Sequence, residues 1–178
     1  YFVSKDAMNM EGFGPSAVES LISEGYVKSI PDIYTLADQK ERLIEEGIVG
    51  KDKTVNNILN AIEKSKSNNI DRLITGLGIR NVGKQSAKVL ASNYADMDSL
   101  MAATAEELMT LPDFGEVAAN DITSFFADKK NREIIERLKA LGVNMKSLSV
   151  ADKWILQKLS DVTNEIRTLK SACGHLIL

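Results

Sequence analysis

The segment Gly78–Lys84 brings together residue types that bind anions. Gly78 and Gly83 carry no Cβ, so another backbone can approach them closely, and glycine adopts a positive φ without strain. Arg80 and Lys84 add two cations to the same segment. A helix that begins after Gly83 would have free N–H groups and the positive end of its dipole at this point. Together these features predict a phosphate-binding site.

The residues on either side of this segment indicate the elements that position it. Apolar residues recur at steps of three and four on both sides, which is the period of an amphipathic helix. They are Ile70, Leu73, Ile74 and Leu77 before the segment, and Ala87, Leu90, Ala91 and Tyr94 after it. We therefore predict a helix, a tight hairpin and a second helix.

This pattern of a glycine-bounded hairpin between apolar helical patterns occurs four times. The last hairpin glycines are Gly14, Gly50, Gly83 and Gly115, which lie 36, 33 and 32 residues apart. Such a period indicates repeated supersecondary units. No segment alternates as a strand does, so we predict an all-α fold of four tandem helix-hairpin-helix motifs. The expected domain covers residues 1–147, and a tail with an amphipathic helical pattern covers 148–178.

Two other repeat classes have a similar period. Tetratricopeptide repeats carry their consensus within longer helices, and ankyrin repeats begin with a Thr-Pro-Leu-His-like segment. Neither pattern is present in this sequence. Helix-hairpin-helix units therefore fit the period better.

Each hairpin also contains an apolar residue that we expect to anchor it in the core. Phe13, Val82 and Phe114 stand directly before a hairpin glycine. Burial of these side chains would aim the neighbouring N–H groups at a phosphate oxygen, and such contacts position DNA without reading its bases. The residues predicted to bind DNA are Gly12, Phe13, Gly14, Gly50, Lys51, Lys53, Gly78, Arg80, Asn81, Gly83, Lys84 and Gly115.

Composition narrows the function classes further. The net charge of −3 argues against a broad cationic surface, so binding of nucleic acid must use local positive sites. No apolar run approaches the roughly 18 residues that span a bilayer, so no membrane partner is expected. The single Cys173 excludes an internal disulfide framework and fits a reducing cytoplasm.

The sequence offers little for catalysis or metal binding. With one cysteine and His175 as the only histidine, we expect no metal site and no Ser/His/Asp arrangement. There is also no phosphate loop of the Gly-x4-Gly-Lys-Ser/Thr type. We therefore do not expect this chain to be catalytic by itself.

Four stretches resemble the bacterial NAD-dependent DNA ligases. The segment 4–14 is similar to the part of that family that follows its zinc finger. The segments 60–66, 77–83 and 111–115 are similar to its second, third and fourth helix-hairpin-helix motifs. The resemblance covers about residues 1–147 and is specific as an ordered set of motifs.

This resemblance implies a role and a set of partners. In the family, the domain grips duplex DNA across the minor groove and helps to encircle a nick, which other domains seal during replication and repair. The parent protein would use NAD, magnesium and zinc, but no cofactor is expected in this chain. The expected partners are nicked duplex DNA and the other domains of the parent ligase.

Two hairpins depart from the family pattern. Asp113 stands where the fourth hairpin usually has glycine, and its carboxylate would repel a phosphate unless it caps the following helix. The second hairpin, 47–53, is expected to be longer than usual. We therefore expect the first and third hairpins to bind better than the second and fourth.

Two other functions stay open from the sequence. One is a helix-hairpin-helix module of another DNA repair protein, such as a DNA glycosylase. Glycosylases of this type carry a Gly/Pro-rich stretch that leads to a catalytic Asp, and neither Gly83 nor Gly115 is followed by one. The other is a helical bundle that binds proteins, which the negative net charge would suit.

Overall fold

A computed structural model describes residues 1–148, 155 and 158–166. The fold is all-α, as predicted, and the only β-type pairing within the described residues is an isolated bridge between Asp96 and Lys146. The helices, in chain order, are α1 (Pro15–Ser23), a 3-10 helix (Ile30–Gln39), α2 (Lys40–Glu46), α3 (Asp52–Ser65), α4 (Ile70–Leu77), α5 (Lys84–Asn93), α6 (Met97–Met101), α7 (Ala105–Met109), α8 (Glu116–Ala127) and α9 (Lys129–Ala140).

Three of these helix pairs are joined by the predicted hairpins. Residues 47–51 join α2 to α3, residues 78–83 join α4 to α5, and residues 110–115 join α7 to α8. The first unit is different, because residues 1–8 form turns rather than a regular helix before the hairpin that leads into α1. The second hairpin is one residue shorter than the third and fourth, so the expectation that it is longer was wrong.

One hydrophobic core runs through all the units. Residues from every unit contribute to it, including Leu21, Leu43, Leu73, Leu90 and Leu108, each with 2% or less of its surface exposed. Side-chain packing of this kind supplies most of the stability of such short helices, which are marginal in isolation.

Two large apolar residues of the hairpin helices are at the surface. Ile22 of α1 is 55% exposed and Val117 of α8 is 68% exposed. Ile22 directly follows the buried Leu21, and a helix turns by about 100° per residue, so the two side chains point in different directions. Val117 lies in the first turn of α8, where its neighbours Ala118 and Ala119 face the core.

Side chains from α4 hold the first unit in place. The Arg72 guanidinium donates to the carbonyl oxygens of Ala7 at 2.7 Å and Lys5 at 3.1 Å. The Asn68 amide, just before α4, donates to the carbonyl oxygen of Met8 at 2.8 Å. These bonds satisfy backbone groups of a segment that has no helix or strand of its own to pair them.

None of the described residues of the tail is buried. Residues 158–166 are helical, as the sequence pattern predicts, and all of them are exposed. The residues 149–154, 156–157 and 167–178, on which the rest of the predicted amphipathic helix falls, lie outside the described residues.

Candidate nucleic-acid interface

Three of the hairpins end in the same backbone arrangement. Gly14, Gly83 and Gly115 are the N-cap residues of α1, α5 and α8, with φ of −78°, −88° and −94°. These are extended conformations that residues other than glycine adopt easily. Gly83 therefore does not use the positive φ that glycine allows, whereas Gly78 at the start of that hairpin has φ of +68°.

Space inside the protein does not demand glycine at these three positions either. All three are exposed, and a Cβ placed on Gly14, Gly83 or Gly115 would meet no described atom within 4 Å apart from the glycine itself and its chain neighbours. Serine, asparagine or aspartate at an N-cap would stabilise each helix better than glycine by a few tenths of a kcal/mol. Neither the backbone conformation nor the packing of the described residues therefore requires glycine at these positions.

The predicted anchors are buried. Phe13, Val82 and Phe114 expose 3%, 7% and 6% of their surfaces and belong to the core. Each one donates its backbone N–H to the carbonyl oxygen three residues earlier, at 3.1, 3.1 and 3.3 Å. The three hairpins are therefore closed by the same turn.

The residue before each anchor has a left-handed backbone. Gly12, Asn81 and Asp113 have φ of +78°, +58° and +66°. Glycine adopts this conformation freely, and Asn and Asp tolerate it better than other residues do. The positive φ therefore recurs at one equivalent point in three hairpins, occupied by three different residue types.

The second hairpin follows a different scheme. Its helix α3 begins at Asp52, within the predicted hairpin 47–53, and Lys51 and not Gly50 is the N-cap. Gly50 has φ of +116°, and an added Cβ would lie 3.2 Å from the Thr54 side chain. The positive φ and the nearby Thr54 side chain thus explain why position 50 is a glycine. Gly50 is therefore not equivalent to the three exposed N-cap glycines.

The helices that follow the hairpins begin without a side-chain cap. No side chain of the N-cap residue bonds the first turn of α1, α3, α5 or α8. By contrast, Asp96, Thr104 and Asp128 cap α6, α7 and α9. Thr104 and Glu107 form a reciprocal capping box. An uncapped start is not unique to the hairpins, since α4 also has none at Asn69.

First-turn N–H groups have no partner within an α-helix. In α5 and α8 they directly follow an exposed N-cap glycine, and no N-cap side chain bonds them. In α1 the first of them is missing, because Pro15 has no N–H. The first hairpin therefore offers one donor fewer than the third and fourth.

The third hairpin carries three polar side chains in three different situations. Arg80 is exposed and forms no hydrogen bond or ion pair with another described residue. The Lys84 ammonium lies 3.1 Å from a carboxylate oxygen of Asp6. The Asn81 amide donates to Asp121 of α8 at 2.6 Å. Asp6 and Asp121 were not predicted from the sequence, because they lie 78 and 40 residues from their partners and no local pattern marks them.

The fourth hairpin keeps its unusual Asp113. This carboxylate is exposed and bonds no other described residue, so it does not cap α8. Asp113 would be compatible with a nearby phosphate only if its carboxylate capped α8, and the carboxylate does not do so.

The lysines of the second hairpin are exposed. Lys51 and Lys53 form no ion pair with a described residue. Their contact with DNA stays a prediction, as it does for the other candidate residues.

The described residues hold neither a metal-ligand cluster nor a membrane-spanning helix. They contain no group of three or more His, Cys, Asp or Glu side chains that could hold a metal ion. Within the same residues, no helix combines the length and apolar character needed to cross a bilayer.

The chain is similar in sequence to a known motif family and to several curated proteins. Residues 72–135, which cover the third and fourth hairpins, match the family model described as "Helix-hairpin-helix motif". The chain is 54% identical over 173 residues to the DNA ligase of Clostridium kluyveri, covering 96% of this chain and 26% of that protein. It is 49% identical over 144 residues to the DNA ligase of Acetivibrio thermocellus, covering 81% of this chain and 22% of that protein.

These matches also define what part of a ligase the chain represents. The chain spans about a quarter of the length of the curated relatives it matches. The 96% coverage in the Clostridium kluyveri comparison extends past residue 148, so much of the tail is shared with that ligase. By these matches, and by its hairpin geometry, the chain is a helix-hairpin-helix domain of the DNA ligase family.

Proposed function

We propose that this domain binds duplex DNA without sequence preference, through hairpin N–H groups that contact phosphates across the minor groove. The parent protein would be an NAD-dependent DNA ligase that seals nicks during replication and repair. NAD, magnesium and zinc would belong to its other domains, with which this domain would associate around the nick. A cytoplasmic location stays a prediction from the single cysteine.

The observation that carries the proposal is the set of N-cap glycines. Gly14, Gly83 and Gly115 are exposed, have unstrained backbones and have free space where a Cβ would be. A serine side chain at these positions would bond the first-turn N–H groups and so cap the helix. The same side chain would then occupy the place where a phosphate would bind. A hydrogen bond to a charged acceptor contributes roughly 1.5–3 kcal/mol, so a few such contacts suffice for useful affinity.

Serine at these positions tests the proposal. We expect Gly83→Ser and Gly115→Ser to raise or preserve the melting temperature and to weaken duplex binding by roughly tenfold each. Binding is measured by fluorescence anisotropy with two duplexes of unrelated sequence, nicked and intact. Thr104→Ser is the matched control, because it places serine at an N-cap outside the hairpins and should leave binding unchanged.

The result that would contradict the proposal is equally clear. If both serine variants are folded and bind DNA as tightly as the wild type, the hairpin amides are not the contact. In the full-length ligase, the same variants should lower nick sealing at limiting DNA while leaving self-adenylation unchanged.

A protein-binding role is the second candidate function. The observation that favours it is an open, largely apolar cleft of about 450 Å³ beside α1, whose lining includes the exposed Tyr1 and Ile22. A domain that fails to bind any duplex at low salt would favour this role over DNA binding.

A further inference from the structure

The third hairpin carries an ion pair that connects it to the first unit. The Lys84 ammonium and the Asp6 carboxylate lie 3.1 Å apart, with 55% and 68% of their side-chain surfaces exposed. Lys84 is the first residue of α5 and directly follows the N-cap Gly83. A carboxylate thus neutralises the one cation that stands at the start of this helix.

The backbone on both sides of Asp6 is fixed. The Arg72 guanidinium bonds the carbonyl oxygens of Lys5 and Ala7, which flank Asp6 in the chain. The N–H of Ala7 also donates to the carbonyl oxygen of Ser4 at 3.1 Å. The hydrogen bonds from α4, the first helix of the third unit, therefore position the turn that carries Asp6. Its nearness to Lys84 follows from the way the first and third units pack.

We infer that Asp6 competes with a DNA phosphate for Lys84 and so lowers the affinity of the third hairpin for DNA. This inference rests on the proposed function. A phosphate that binds the first-turn N–H groups of α5 would lie beside Lys84 and would pair with its ammonium in place of the Asp6 carboxylate. Binding must then separate Lys84 from Asp6 and leave the carboxylate without its partner.

This competition has two measurable consequences. Removal of the Asp6 charge should tighten binding by roughly two- to fivefold, the range expected for an exposed ion pair. It should also steepen the dependence of log K on log salt by up to about 0.9. In the wild type, Asp6 takes up a cation from solution when Lys84 leaves it for the phosphate, and this uptake offsets part of the counterion release. Asparagine takes up no cation, so the offset is absent in the variant. If Asp6 only stabilised the fold, Asp6→Asn would bind DNA more weakly and its log K would not fall more steeply with log salt.

The experiment compares Asp6→Asn with Asp98→Asn in the 178-residue chain. Asp98 forms an exposed ion pair with Lys139 of similar geometry, 2.8 Å long with 61% and 45% of the side chains exposed, and it lies on α6 away from the hairpins. Both variants change the net charge by the same amount. Affinity for a duplex of fixed sequence is measured by anisotropy at several salt concentrations, and the melting temperature reports folding.

We expect Asp6→Asn to bind more tightly than Asp98→Asn and to show the steeper salt dependence. In a Lys84→Ala background, Asp6→Asn should lose most of its effect, because the competition needs Lys84. Equal affinities and slopes for the two variants would overturn the inference, as would an effect of Asp6→Asn that persists without Lys84. Wild-type chain that binds no duplex at all would instead contradict the proposed function, so the two failures are distinguishable.

Discussion

Arg137 and Asp32 form an ion pair across 105 residues of sequence. The guanidinium of Arg137, on α9, lies 2.9 Å from a carboxylate oxygen of Asp32, in the 3-10 helix. The other oxygen accepts hydrogen bonds from the backbone and hydroxyl of Ser29 at 2.7 and 2.8 Å, and from the backbone of Lys28 at 3.0 Å. This network joins the last helix of the hairpin domain to the connection between its first two units.

The network makes stability depend on acid pH. Burial alone would raise the pKa of Asp32, but the hydrogen bonds from Arg137, Ser29 and Lys28 outweigh it and lower the pKa from 3.8 to about 2. Because the folded pKa lies below the unfolded value, the stabilisation is complete above about pH 4 and is lost as pH falls through 2. We expect it to amount to roughly 1–2 kcal/mol.

Asp32→Asn tests this prediction. Urea unfolding at pH 6, 4, 3 and 2 should show a smaller loss of stability between pH 4 and 2 in the variant than in the wild type. Asp98→Asn, which removes an exposed ion pair, serves as the control and should keep the wild-type loss. Parallel pH curves for wild type and Asp32→Asn would show that the carboxylate is not held as the structure has it.

Arg80 should account for a defined part of the salt dependence. It is exposed on the third hairpin and pairs with no other described residue, so it can neutralise a phosphate at no internal cost. Arg80→Ala should weaken duplex binding and reduce the slope of log K against log salt by about 0.9. Arg132→Ala, the same change at an exposed position of α9, should do neither. Equal slopes for wild type and Arg80→Ala would exclude a phosphate contact by Arg80.

Asp113 should weaken the fourth hairpin. Its carboxylate is exposed, unpaired among the described residues and two positions before the N-cap Gly115. We expect Asp113→Asn to tighten duplex binding severalfold at low salt, because asparagine removes the charge and tolerates the φ of +66°. Asp113→Gly should act similarly. If the asparagine variant binds like the wild type and the glycine variant binds better, backbone strain and not charge limits this hairpin.

Gly76 packs closely against a buried aromatic ring. It lies inside α4, where alanine normally stabilises a helix by about 1 kcal/mol over glycine. Here an added Cβ would lie 3.0 Å from the Phe2 ring, which packs edge-on against Tyr34. We expect Gly76→Ala to destabilise the domain by roughly 1–3 kcal/mol, measured by urea unfolding.

A double-mutant cycle with Phe2→Leu checks the cause. The smaller side chain should relieve the overlap, so the cost of Gly76→Ala should fall in the Phe2→Leu background. An additive result would mean that Phe2 does not set the requirement for glycine at position 76.

Local sequence determined the fold class and the position of the hairpins. Helical periodicity and glycine punctuation act over a few residues, so they placed the helices around each hairpin and identified Phe13, Val82 and Phe114 as anchors. The capping box of Thr104 and Glu107 is equally local, because its two residues stand three apart in the sequence. These features could be predicted because each depends only on neighbours along the chain.

Tertiary structure decided which charges meet. Asp6 reaches Lys84, and Asp32 reaches Arg137, only because separate units pack on one core, and nothing near either residue in the sequence marks its partner. Packing also determined that α3 starts after Lys51 and that Ile22 and Val117 stay exposed. The start of a helix and the burial of a side chain depend on what lies against them, and that is fixed by contacts between residues far apart in the chain.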